Sequence, residues 1–237
     1  MRTFLIIGMF TASLANSAWR DYEEVRDLTL DAGGIDTVEI EAGAGSLEVR
    51  GNPNAKKISV TALIQVPGKN EDKAQKIIES DLVLTLERKG DTAILNGYFE
   101  ASGWGWGDSP SVRLEVEVPE SVGLDIEDGA GSIKIWDVLG DILVEDGSGS
   151  LQMTNIGGEV WVIDGSGSIS VEGVGGDISI KDDSGSITVQ DVRGSVVIDD
   201  GSGSINVSDV DADLIIEDDG SGSLNFARIN GRVEKED

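Results

Sequence analysis

A chain of 237 residues with 39% apolar content can bury a sizeable core, as one elongated domain or two small ones. Its 18 Lys and Arg stand against 45 Asp and Glu, a formal charge of −27, which excludes nucleic acid and anionic lipid as partners because phosphate binding needs a positive field. Cysteine and histidine are both absent, which removes disulfides, thiolate nucleophiles, Cys or His metal sites and the commonest general base.

Residues 1–18 read as an export signal. Arg2 supplies the positive start, Phe4 to Leu14 the apolar run, and Ala15, Ser17 and Ala18 the small residues of a cleavage region. The apolar run is shorter than the roughly 20 residues of a spanning helix, and no other segment is long and apolar enough. The expected mature product carries no transmembrane segment and is exported to the periplasm or the cell surface of a bacterium.

From Trp19 to Val118 the pattern is irregular and β-rich. Alternating runs predict strands at Val38 to Glu41, Leu47 to Arg50, Ile58 to Val66, Leu82 to Glu87, Ala93 to Phe99 and Val112 to Val118. Between them, Asn70 can cap a short helix over 70–80, with Glu71 and Asp72 in its first turn and Ala74, Ile77 and Ile78 on one face. A Gly-rich loop from Ala101 to Ser111 carries Trp104 and Trp106, a candidate aromatic binding platform or a pair packed onto the protein's own surface.

After Pro119 the chain repeats. Gly-Ser-(Ile/Leu) returns with its serine at Ser132, Ser150, Ser168, Ser186, Ser204 and Ser223, a period of 18 that lengthens to 19 at the end. Counting each serine as position one, apolar residues recur at two and four (Ile169, Val171), seven (Val174), eleven and thirteen (Ile178, Ile180). This is the signature of an all-β, single-stranded β-solenoid (β-helix) with 18-residue coils, two short strands per coil and interior ladders of Ile, Val and Leu. Six coils at about 4.8 Å each predict a rod roughly 30 Å long. The division expected is signal 1–18, irregular β-rich part 19–118 and repeats with a C-terminal cap 119–237, the cap being the last coil with Arg228, Arg232 and Lys235. Eighteen is also three hexads, so a three-sided left-handed helix with Ser132, Val138 and Val144 inward is a competing cross-section.

Three constellations stand out. Asp128, Asp146, Asp164, Asp182, Asp200 and Asp218 precede the Gly-Ser turns 18 apart; they read as exposed, hydrated Asx-turn residues, with Ca²⁺ on Asp146, Asp164, Asp182 and Asp200 as the alternative. Between Leu124 and Asp219 there are 22 acids against Lys134, Lys181 and Arg193, a solvated surface suited to basic ligands. The outward position of the second strand holds Leu143, Trp161, Ser179, Val197 and Ile215, an apolar stripe covered by the N-terminal part or the Trp loop, or else an interface. No nucleophile elbow, phosphate loop or metal motif is present, and no cofactor is implied.

Val116-Glu117-Val118-Pro119, Leu124-Asp125-Ile126 and Gly131-Ser132-Ile133, followed by the Ser-Gly-Ser-Ile coils, resemble the coil entry of the bacterial putative adhesin domain family, a domain of unknown function. The resemblance covers most of the chain after residue 18 and brings no catalytic residues. It implies an envelope or surface β-solenoid. The expected function is therefore that of an exported non-enzymatic adhesin, envelope-binding or scaffold module, with a surface protein or glycan as partner. The alternatives are a β-helix enzyme acting on polysaccharide and a self-assembling scaffold.

Overall fold

The computed structural model describes residues 8–10, 21–100 and 109–236. Most of the expected signal segment, and with it any cleavage site, lies outside these residues, as do Trp104 and Trp106.

The chain forms one continuous hydrogen-bonded sheet system. β1 (Gly8–Phe10), β2 (Tyr22–Asp31), β3 (Thr37–Asn52), β4 (Lys57–Val66), α1 (Glu71–Asp81), β5 (Leu82–Lys89), β6 (Thr92–Phe99) and β7 (Ser111–Pro119) make its N-terminal part. The coils come next, with β8 (Gly123–Val138), β9 (Ile142–Asp146), β10 (Gly149–Ile156), β11 (Val160–Asp164), β12 (Gly167–Val174), β13 (Ile178–Asp182), β14 (Gly185–Val192), β15 (Val196–Asp200), β16 (Ser202–Val210), β17 (Leu214–Asp218), β18 (Ser221–Ile229) and β19 (Val233–Lys235).

Residues eighteen apart stack in parallel register, as the period predicts. Ser150 lies on Ser132 and under Ser168, Ile169 on Leu151, and Ile187 on Ile169. Each coil has a long strand and a short strand, the short one of five residues from β9 to β17 and three at β19, and both arise from side-chain alternation. Ile169, Val171, Val174, Ile178 and Ile180 are all at most 1% exposed, and the same five columns run through the neighbouring coils as a single apolar spine. Of the hexad inward set, Val138 and Val144 are buried but Ser132 is only half-buried, and Ile133 and Ile135 beside it fill the interior.

Two backbone devices make the corners. The glycine before the repeat serine lies at φ between +142° and +152° in five coils (Gly131, Gly149, Gly167, Gly185, Gly203), and a Cβ at Gly167 would sit 1.8 Å from the Gly149 carbonyl oxygen below it. Where the long strand bends, Asp137, Asn155, Asp191, Asp209 and Arg228 adopt φ near +58°, a left-handed conformation that Asn and Asp tolerate better than most residues.

A seventh coil lies hidden in the N-terminal part. β3 stacks on β8 with Gly45 on Gly131, Ser46 on Ser132 and Leu47 on Ile133. Its far edge then splits. Thr37–Ala42 pairs with β6 and Leu47–Asn52 with β7, and each half continues outward through antiparallel strands, β6 to β5 and β7 to β4 to β2 to β1. The rod end at β3 is thereby covered by paired sheet.

α1 forms as its cap predicts. The Asn70 side chain accepts from the Lys73 N–H at 3.2 Å, and Ala74 and Ile78 bury against Ile64 and Val66 of β4. At the opposite end the last coil, β18 and β19, stacks over Ile205, Val207, Val210, Leu214 and Ile216, which are at most 2% exposed. Arg228, Arg232 and Lys235 lie back on Asp209, Asp213 and Asp219 of the preceding coil, and Phe226 stays 49% exposed.

Candidate functional site

The stripe on the short strands is partly open to water. Leu143, Trp161 and Val197 stack outward on β9, β11 and β15, with Ser179 between Trp161 and Val197, and Ile215 next on β17. Trp161 is 41% exposed and Ile163, two residues on along the same face, 47%. Among the described residues the N-terminal part stacks on the rod's end rather than over this face.

Stacking turns the β9–β11 part of the stripe into a groove of about 400 Å³. Trp161 and Leu143 form its apolar wall, and Asp36, Thr37, Asp125 and Asp141 supply polar groups. Among the described residues no Lys or Arg lines it. The elements explain the convergence: Gly123 of β8 sits beside Thr37 of β3, which places Asp36 just below the corner, and Asp125 lies directly under Leu143. Asp141 is oriented by the Glu159 N–H, which donates to its Oδ1 at 2.9 Å. Such a site offers a flat ring to stack on and carboxylates that accept hydrogen bonds from hydroxyl or ammonium groups. Leu143 and Trp161 are recognisable in the sequence as outward apolar positions. Asp36, Asp125 and Asp141 are not, because only the stacking of β3 under β8 brings them to the same place.

The Asp ladder is where the structure corrects the sequence most. Asp128, Asp146, Asp164, Asp182 and Asp200 are buried, between 0 and 5% exposed, not hydrated at exposed turns. The reason is parity: Asp146 comes after Ile142 and Val144 by twos, so its side chain joins the inward face. The Asx-turn half of the expectation is present, since Oδ1 of Asp146, Asp164, Asp182 and Asp200 accepts the backbone N–H two residues on at 3.0–3.1 Å. Oδ2 of all five is sealed from solvent and has no hydrogen-bond partner. Burial pushes their pKa values up, to about 7 for Asp128 and about 6 for Asp182, with neighbouring carboxylates of the ladder adding to the shift. Asp218, at the open end, is exposed. Among the described residues no three acidic side chains converge as a metal site would require.

No protein-family model matches the chain, and no curated protein matches it significantly. Several solved structures do. A putative adhesin from Bacteroides fragilis shares 14% identity at a TM-score of 0.45, over 91% of this chain and 97% of its own. A putative lipid binding protein from Parabacteroides distasonis shares 13% at 0.44, over 91% and 97%. A putative cell adhesion protein from Clostridium sporogenes shares 12% at 0.37, over 91% and 99%.

Proposed function

We propose that this chain is an exported, non-enzymatic contact module of the bacterial cell envelope, a rigid acidic rod that binds an envelope glycan in the groove beside Trp161. The observation that carries this reading is the half-exposed indole set among Asp36, Asp125 and Asp141, with no base among the described residues that line the groove. The indole face suits the C–H face of a sugar ring, and the carboxylates suit its hydroxyls or the ammonium of an amino sugar. The groove's charge excludes an anionic polymer, so the polysaccharide-enzyme alternative loses the acidic substrates such enzymes would draw along a basic face. The acidic rod keeps the module soluble and widely repelled from anionic surfaces, which leaves selection to the groove.

The test is sedimentation of the purified protein with isolated envelope glycan, comparing wild type with Trp161→Ser and Leu143→Ser. The proposal expects wild type in the pellet, at least tenfold weaker retention in Trp161→Ser, and release of wild type by soluble amino sugar oligomers. Equal retention of wild type and both variants would remove the groove from the account.

A further inference from the structure

The groove at Trp161 is one end of a longer track. Outward residues of neighbouring strands stack into a column that runs Trp161, Leu143, Asp125, Glu39 and Ile94 across β11, β9, β8, β3 and β6. Two residues further along each strand, a second column runs Ile163, Glu145, Glu127, Glu41 and Asn96. A further hollow of about 200 Å³, whose lining includes Glu39, Glu41, Glu127 and Ile94, adjoins the groove through Asp125, which lines both. Four strand-to-strand steps of about 4.8 Å make the track about 19 Å long, in the direction in which the coils stack.

Charge along the track is of one sign. Glu39, Glu41, Asp125, Glu127 and Glu145 are exposed, and among the described residues none of them forms an ion pair. Glu39 lies across from Asp125, Glu41 from Glu127 and Glu127 from Glu145, like-charge neighbours that cost stability unless a cation lies on them. Lys181, next after Ile163, ion-pairs with Asp199 at 2.7 Å and ends the track on that side. Among the described residues no three acidic groups converge as a single metal ion would require. The carboxylates stand in successive strand steps instead, spaced for separate cationic groups along one chain.

We propose that the track binds an extended polycation, a glycan whose sugar rings carry free amino groups, laid along the stacking direction with one ring on Trp161. This rests on the reading of the Trp161 groove as a glycan site and commits that site to the unacetylated form. An N-acetyl group brings no charge to the five carboxylates, whereas an ammonium donates charge-assisted hydrogen bonds to them and relieves their repulsion. A basic peptide fits less well. The track lies over the face of paired strands, whose backbone N–H and C=O groups are already used in the ladders, so a peptide backbone finds no partners there. Sugar rings need only side chains, and Ile94 at one end with Trp161 and Ile163 at the other offers apolar contact on either side of the acids.

Calorimetric titration of the purified full chain with glucosamine oligomers, and with the same oligomers N-acetylated, tests this. The free-amine oligomer is expected to bind about tenfold more tightly than the acetylated one, to raise the melting temperature, and to lose affinity steeply with added salt. Glu41 and Glu127 lie outside the Trp161 groove. Glu41→Gln with Glu127→Gln is therefore expected to cut binding of the free-amine oligomer about tenfold, leave the acetylated oligomer unaffected, and keep or raise the melting temperature of the free protein. Trp161→Ser is expected to weaken both oligomers. Equal affinity for the two oligomers, or an unchanged preference in the double variant, would overturn the polycation and leave the glycan groove standing. Equally tight binding of an oligolysine of the same charge would overturn the choice of sugar over peptide, and no binding of either oligomer would overturn the groove reading as well.

Discussion

A carboxyl group on the inward column next to Ile180 and Ile198 is driven toward its neutral form, and Asp182 couples the fold to pH for that reason. Burial first, then the carboxylates of Asp164, Asp200 and Asp183, push its pKa up to about 6 against the Ser184 N–H that opposes them, and Asp128 is pushed to about 7. Asp199 and Asp219 face the ladder at Asp200, and Asp218 continues it at the open end. A folded-state pKa above the unfolded value favours the proton-bound fold. The ladder's contribution is therefore complete below about pH 4 and is lost as pH rises through 6 to 7. At about 1.4 kcal/mol per tenfold, moving one group from 3.8 to about 6 is worth roughly 3 kcal/mol. The melting temperature is expected to fall as pH rises from about 5 to about 8. Asp182→Asn keeps the acceptor for Ser184 and removes the charge, so it is expected to raise the melting temperature at the alkaline end and leave it unchanged at the acid end. Equal pH slopes for wild type and variant would show that the ladder does not bind these protons.

Gly167 is a second residue on which the fold turns. A methyl there would lie 1.8 Å from a backbone oxygen that the stacked register holds in place, at a φ of +144° that side chains rarely adopt. Gly167→Ala is expected to lose at least about 4 kcal/mol, read as a lowered urea midpoint, whereas Ser168→Ala at the next, exposed position is expected to be close to neutral.

At the scale of elements, the coil is the unit that the sequence makes legible and the structure makes interchangeable. Register runs Gly149 to Gly167 to Gly185 without a shift, so deleting residues 168–185 removes one complete turn and leaves Ser186 to stack on Ser150. Such a chain is expected to fold cooperatively into a rod shorter by about 4.8 Å, while deleting residues 168–176 inverts the pairing and is expected to leave the C-terminal coils unfolded by circular dichroism. The columns of Ile, Val and Leu announce themselves because each recurs through the coils at a fixed spacing. The helix announces itself because Asn70 and the two acids after it form a local signal.

The elements that are hard to see in the sequence are hidden for physical reasons. The β3 coil repeats Gly-Ala-Gly-Ser-(Leu/Ile) once, at Ser46 and again at Ser132, with β4 to β7 inserted between, so periodicity never accumulates. β2 begins with the polar run Tyr22 to Arg26 and is half-buried there, so alternation is weak until Leu28 and Leu30. In the Asp ladder two rules conflict: charge argues for an exposed Asp146, and a count by twos from Val144 argues for an inward one. Parity prevails because a turn N–H and a raised pKa make an inward Asp tolerable. The groove at Trp161 is half legible, because its apolar wall lies on one column and its carboxylates come from other coils.

At the scale of the whole molecule, stacked coils form a rod that carries paired antiparallel strands beyond β3 and a lateral groove at Trp161. β6 and β7 pair the far side of β3, so that edge of the rod is closed to further pairing. Along the flank the coils are rich in acids, and in the proposed function Trp161 and Leu143 are the contact. All of this depends on the superposition of coils from β3 to β16. The column Glu48, Lys134, Gln152, Ser170, Thr188 and Asn206 spans it in five strand-to-strand steps. Spin labels on Glu48→Cys and Asn206→Cys, diluted with unlabelled chain, measure that span by dipolar spectroscopy. The account predicts one narrow distance distribution centred near five spacings, about 24 Å plus the reach of the labels. A broad distribution, or a mean beyond about 40 Å, would contradict the stacking.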